Sequence, residues 1–131
     1  MNISFKIYMA IGIGGMFGAV GRYSVSILFE SVNGFPYATL TVNLIGCFLL
    51  SLLLHHEAIK KRLSPEVFAA LGTGMLGAFT TFSTFAVETI EMGATQIGLA
   101  IFYVIISVFG GLLCCFAGYK LAIGNKKVTR S

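Results

Sequence analysis

Aspartate is absent from the 131 residues, and charged side chains of all kinds make up only 11% of them, against about 25% in an ordinary soluble domain. So few charges cannot cover a water-facing surface, and much of the outer face must meet lipid. The titratable supply is thin: five glutamates (Glu30, Glu57, Glu66, Glu88, Glu91), the adjacent His55 and His56, and three cysteines. No nucleophile–base or metal constellation can be assembled from it, which argues against an enzyme. Cys47, Cys114 and Cys115 show no CxxC spacing and no His companion. They form neither a zinc site nor a disulfide framework and read as small apolar side chains. Low-complexity segments and internal repeats are also missing. The net charge of +4 would hint at nucleic acid in a soluble protein, but here the basic residues sit between or beyond apolar runs, as membrane flanks do.

What is present is hydrophobic length. Four apolar stretches, Ile7 to Leu28, Ala38 to Leu54, Val67 to Val87 and Ile97 to Tyr119, each approach the ~20 helical residues that cross a hydrocarbon core. Their runs are continuous and lack two-residue alternation, so helices are preferred to membrane strands. The first stretch is longer than a signal-peptide core, holds Arg22 and has no cleavage signature beyond it, so it is expected to remain. The connections are short. Glu30 to Tyr37 carries Asn33-Gly34 and Pro36, His55 to Glu66 carries most of the loop charge, and Glu88 to Gln96 carries Gly93. No extramembrane domain fits in them, and residues 1–131 are predicted to be one all-α, four-helix transmembrane domain.

The informative positions are those a plain bundle would not need. Gly12, Gly14, Gly15, Gly18 and Gly21 crowd the first span, with Gly14 and Gly18 on one face, and Gly110, Gly111 and Gly118 recur in the fourth. In lipid such residues let backbones approach closely. A nucleotide loop is excluded because Phe17 stands where GxGxxG needs its last glycine. In the third span, Gly72 to Phe85 holds three glycines and five hydroxyl residues in fourteen positions. Gly costs about 1 kcal/mol against Ala in a helix, and Ser and Thr offer competing hydrogen bonds, so a helix break near the bilayer centre is predicted. Unwound backbone at that depth must be buried in protein or line a wet cavity. It exposes carbonyls and half-helix ends that act on ions, although a packing kink explains the composition equally well.

Mid-span polar groups complete the set. Asn43 is either inter-helix glue or part of a hydrophilic path. Arg22, about 10 Å from the end of its span, either snorkels or attracts anions at a vestibule. Tyr103 and Ser107, four apart, share a face. A path built from these groups has hydroxyls, an amide and aromatic rings, with no carboxylate before Glu88. That disfavours a cation pore or proton relay and favours an anion. Phe82 and Phe85 lie three apart, and rings presented edge-on can stabilise a small anion without trapping it, although packing explains their spacing as well.

Three segments then become specific: Gly14 to Tyr23 (GGMFGAVGRY), Thr41 to Gly46 (TVNLIG) and Gly77 to Phe85 (GAFTTFSTF). Together they strongly resemble the CrcB/Fluc fluoride channels, with the likeness spanning all four helices. The resemblance implies a fluoride-selective passive channel that exports cytoplasmic fluoride and so reduces its toxicity. It implies two four-helix subunits in opposite orientations, with Phe82 and Phe85 as a ring-edge ladder and Asn43 as an amide donor. It also implies a central Na+ on the main-chain carbonyls of Gly77 and Thr80, two from each subunit. Tyr103 and Ser107 look like the start of the family's polar track, from which this sequence departs at the next position on that face, Gly111, where some members carry a hydroxyl. Arg22 matches the helix-one Arg, with a vestibule or structural role, and Glu88 is left without an assigned one.

Lys6, Lys60, Lys61, Arg62, Lys120, Lys126, Lys127 and Arg130 all fall on the side shared by the two termini and the second loop, and none falls on the other. This bias predicts both termini in the cytoplasm of the cell membrane. It fits the fixed-orientation half of an antiparallel dimer with an inverted paralogue, against pairing of the chain with itself. The rival from another class is a small four-helix proton-coupled multidrug or cation exporter. It would need a membrane carboxylate, for which Glu88 is the only candidate. A purely structural membrane subunit would leave Asn43 and TTFSTF surplus.

Overall fold

The computed structural model describes residues 2–29 and 34–124 and is entirely helical over them, apart from turns. Glu30, Asn33, Lys126, Lys127 and Arg130 lie outside the described residues. Helix α1 spans Ile3–Leu28, α2 Tyr37–His55, α3 Glu57–Arg62, α4 Pro65–Ala69, α5 Gly77–Phe79, α6 Ser83–Thr95 and α7 Ile97–Gly124, with a π-helical segment Ala70–Leu76 between α4 and α5. Four candidate membrane spans result: Ile3–Leu28, Tyr37–His55, Pro65–Thr95 and Ile97–Gly124. This is a multi-pass membrane protein. The helices outrun the apolar stretches by a few residues at most ends, because capping and polar flanks extend a helix past the hydrocarbon.

Local chemistry sets the boundaries. Gly34 takes φ +74° in the turn before α2, a conformation that favours glycine. His56 Nδ1 accepts from the Ile59 N–H at 3.3 Å and starts α3. Ser64 Oγ accepts from the Val67 N–H at 3.3 Å ahead of Pro65, a start signal that combines an N-cap hydroxyl with proline at the first helical position. α3 ends in Lys60, Lys61 and Arg62, cations placed where the helix dipole is negative.

Glycines set the helix spacing. Gly14 and Gly18 are the buried residues of α1; a Cβ on Gly14 would overlap the Ala70 carbonyl, and one on Gly18 the Met75 carbonyl. From the other side, a Cβ on Gly74 would meet the Ile11 carbonyl. Backbone therefore lies on backbone where α1 crosses the π-helical segment. Gly118 does the same for α7 against the Phe48 carbonyl of α2, and Gly46 leaves room for the Thr80 methyl. The first half of the third span packs against α1 and its second half, α6, against α7. Tyr103 is wholly buried in a core with Phe35, Leu40, Met92 and Ala100, while Leu28, Phe109 and Leu113 on the outer faces are exposed, as lipid contact requires.

Candidate functional site

The site begins where helical bonding stops. α5 ends at Phe79, Thr80 is extended at φ −80° and ψ 161°, and helix resumes at Ser83. Thr80 closes the last turn twice, its N–H donating to the Leu76 carbonyl at 3.0 Å and its Oγ1 at 2.9 Å. In a continuous helix the Thr81 N–H would go to Gly77. It donates instead to Asn43 Oδ1 at 2.8 Å, and Asn43 Nδ2 donates to the Thr81 carbonyl at 2.9 Å. One side-chain amide on α2 thus satisfies both main-chain groups of Thr81, the residue after the extended Thr80. The Thr84 N–H, the regular partner of the Thr80 carbonyl, donates to Thr81 Oγ1 at 3.2 Å, so Thr81 also caps α6. The carbonyls of Gly77 and Thr80 have both lost their regular helical donors.

Beside this segment lies a cavity of about 530 Å³ whose lining includes Asn43, Gly77, Thr80, Thr81, Phe82, Phe85 and Ser107. The lining contains no charged side chain. Asn43 Nδ2 carries two protons, and one of them goes to Thr81. Ser107 Oγ is buried without a hydrogen-bond partner, so its hydroxyl is a second uncommitted donor. The rings of Phe82 and Phe85 stand 6.0 Å apart with planes tilted by 46°. Phe82 is 79% exposed at the mouth, whereas Phe85 is half-buried against Tyr103 with centroids 5.1 Å apart. The wall thus combines two neutral donors with two aromatic rings, whose edges are positive and faces negative, and has no ammonium or guanidinium among its lining residues.

Tyr103 is not in that wall. It is buried behind Phe85, its hydroxyl donating to Glu88 Oε2 at 2.9 Å. Thr39 Oγ1 donates to the other carboxylate oxygen, Oε1, at 2.8 Å. Glu88 and Thr39 join Arg22, Ser26, Thr81 and Thr84 around a second cavity of about 280 Å³. Thr81 lines both cavities and so stands between a neutral chamber and one that contains Arg22 and Glu88. Sequence reasoning missed Thr39, although it lies one turn before Asn43 and must share its face. Glu88 could be placed only once its two hydroxyl partners were known. Gly111, the next position after Ser107 on the same face, meets the Cys47 thiol instead of lining the chamber. Among the described residues no group of three or more His, Cys, Asp or Glu is placed to hold a metal, so any cation here would depend on main-chain oxygen.

Comparison with known proteins matches residues 9–119 to the family described as CrcB-like protein, Camphor Resistance (CrcB). A protein of Desulfitobacterium hafniense (strain Y51) named fluoride-specific ion channel FluC 1 is 47% identical over 119 residues, covering 88% of this chain and 100% of its own. The fluoride-specific ion channel FluC 1 of Bacillus cereus (strain ATCC 10987 / NRS 248) is 42% identical over 118 residues, 88% of this chain and 86% of its own. FluC 2 of Listeria innocua serovar 6a is 42% identical over 124 residues, 94% of each chain.

Proposed function

Because this chain belongs to the CrcB family, we propose that it is a fluoride-selective passive ion channel through which cytoplasmic fluoride leaves the cell, lowering its toxicity. It is a membrane channel and not an enzyme, and the proton-coupled exporter has no support among its relatives. The observation that carries the reading is the uncharged chamber whose lining brings together Asn43, with one amide proton beyond its bond to Thr81, the unpartnered Ser107 hydroxyl, and the rings of Phe82 and Phe85. Fluoride is small, strongly hydrated and a strong hydrogen-bond acceptor, and donors that replace part of its shell without an ion pair let it both enter and leave. Liposomes containing this chain, tested alone and together with a candidate inverted partner, are expected to release fluoride quickly without a proton gradient and to retain chloride once the complete pair is present. Flux that requires a proton gradient, or equal chloride release, refutes the proposal.

The interruption at Thr80 serves conduction in this reading. Thr80 stands midway along the Pro65–Thr95 span, which supports a break near the bilayer centre. The Gly77 and Thr80 carbonyls, free of their usual donors, fit a Na+ ion, a hard cation that takes oxygen ligands. The Na+ would supply fixed positive charge beside the anion path. Phe82 is almost uncovered in one chain, and Gly77 beside it is exposed. A second subunit packed antiparallel over this face encloses the chamber, adds two more carbonyls and leaves the other faces to lipid. Vestibule and Arg22 go together, since Arg22 lines the second cavity, where it draws anions toward Thr81.

The one-sided Lys and Arg distribution supports an inverted paralogue as the partner, over the competing reading of a second copy of this chain. A tag on either terminus is expected to stay shielded from impermeant reagent in intact cells. Substantial labelling from outside would restore the homodimer.

A further inference from the structure

Resting on the fluoride-path reading for its effect but not for its chemistry, we propose that Cys47 and Cys115 form a soft-metal site in the wall of the chamber. Two thiolates on facing helices would bridge one ion with a preference for two-coordinate sulfur, such as Hg2+, Ag+ or Cu+. The two cysteines sit 68 residues apart in sequence but meet in space: Cys115 Sγ donates to the Cys47 carbonyl oxygen at 3.5 Å. The Cys47 thiol rests over Gly111, one turn before Cys115 on the same face of α7, and a Cβ there would stand 3.4 Å from the sulfur. The backbone spacing is held at this level. Ser51 Oγ donates to the Cys115 carbonyl at 2.7 Å, and Gly118 brings α7 against the Phe48 carbonyl.

Both sulfurs line the chamber that holds Asn43, Phe82, Phe85 and Ser107. An ion small enough to share that space can reach them. No third His, Cys, Asp or Glu is placed to join them among the described residues, which excludes a tetrahedral zinc site and leaves a two-sulfur site for soft ions. The reaction balances without an oxidant. Two thiols give up two protons, the two mercury–chloride bonds of HgCl2 are replaced by two sulfur–mercury bonds with release of two chlorides, and the product is a neutral S–Hg–S bridge that fixes α2 to α7 in the wall of the chamber. Cys114 provides the control within the chain, because it turns to a separate apolar groove with Leu44, Ile45 and Leu113.

The test titrates purified full chain in detergent with HgCl2 and counts the remaining thiols with a chromogenic disulfide reagent. One equivalent is expected to remove two thiols and leave one. Uptake of a separate mercury by each thiol overturns the proposal. In liposomes, HgCl2 is expected to abolish most of the fluoride efflux, with recovery on excess dithiothreitol. Each variant is compared with its own untreated rate. Cys114→Ser should remain sensitive, whereas Cys47→Ser and Cys115→Ser should each resist. Equal sensitivity of all three refutes the site. The thiol count is independent of transport, so a chain that binds one mercury through two thiols but conducts no fluoride either alone or with its inverted partner would sink the channel reading and leave the metal site standing.

Discussion

Phe82→Ile and Phe85→Ile each slow fluoride efflux from liposomes by up to about tenfold while chloride stays excluded and the assembly elutes unchanged. The size follows from the ring. An aromatic edge contributes up to ~1.5 kcal/mol beyond its buried area, and about 1.4 kcal/mol corresponds to a factor of ten. Isoleucine keeps apolar bulk and removes the quadrupole, so the substitution isolates the edge from packing. The two positions differ in what surrounds them. Phe82 is 79% exposed in the single chain and touches little besides Phe85, so its replacement should leave the thermal transition almost unmoved. Phe85 packs against the buried Tyr103 at 5.1 Å, and its replacement should lower stability modestly as well as flux. Unaltered efflux in both variants removes the rings from the path and leaves them as packing.

Asn43→Leu is expected to abolish flux and to destabilise the chain severely, whereas Asn43→Asp abolishes flux with a smaller loss of stability. Leucine leaves the Thr81 N–H and C=O without the partners they now have at 2.8 and 2.9 Å. Each buried unsatisfied group costs roughly 1–3 kcal/mol, so two cost about 2–6 kcal/mol. An ionised Asp keeps the bond to the Thr81 N–H but can donate to neither the carbonyl nor an anion, and it brings negative charge into the chamber. Thermal unfolding in detergent and liposome flux, measured on the same preparations, separate the two roles. If Asn43→Asp conducts at the native rate, Asn43 is glue alone.

That dual role shows how far the sequence can be read. An amide in mid-span had to find partners, and the alternatives of glue or path followed from that need. The structure shows the first of these, both main-chain groups of Thr81 held by the amide, and leaves one amide proton over, on which the proposed second role rests. The same holds for the glycines. Gly14 and Gly18 were readable as a close-packing pair, but that they rest on the Ala70 and Met75 carbonyls, opposite a π-helical segment, was not. π-helical bonding depends on small differences in main-chain geometry that composition does not encode. Glu88 had no assignable role from its surroundings in the chain, since its two partners lie 49 and 15 residues away.

Hydropathy, charge placement and local helix propensity are properties of near neighbours along the chain. They determined the four spans, the weak third helix, and the supply of neutral donors and aromatic rings that favours an anion. Contacts across helices depend on how far apart the backbones stand and how each is rotated, and glycine contacts spread over the fold set both. Tertiary structure alone decided that Asn43 holds Thr81, that Tyr103 serves Glu88 and not the chamber, and that Cys47 meets Cys115 across 68 residues.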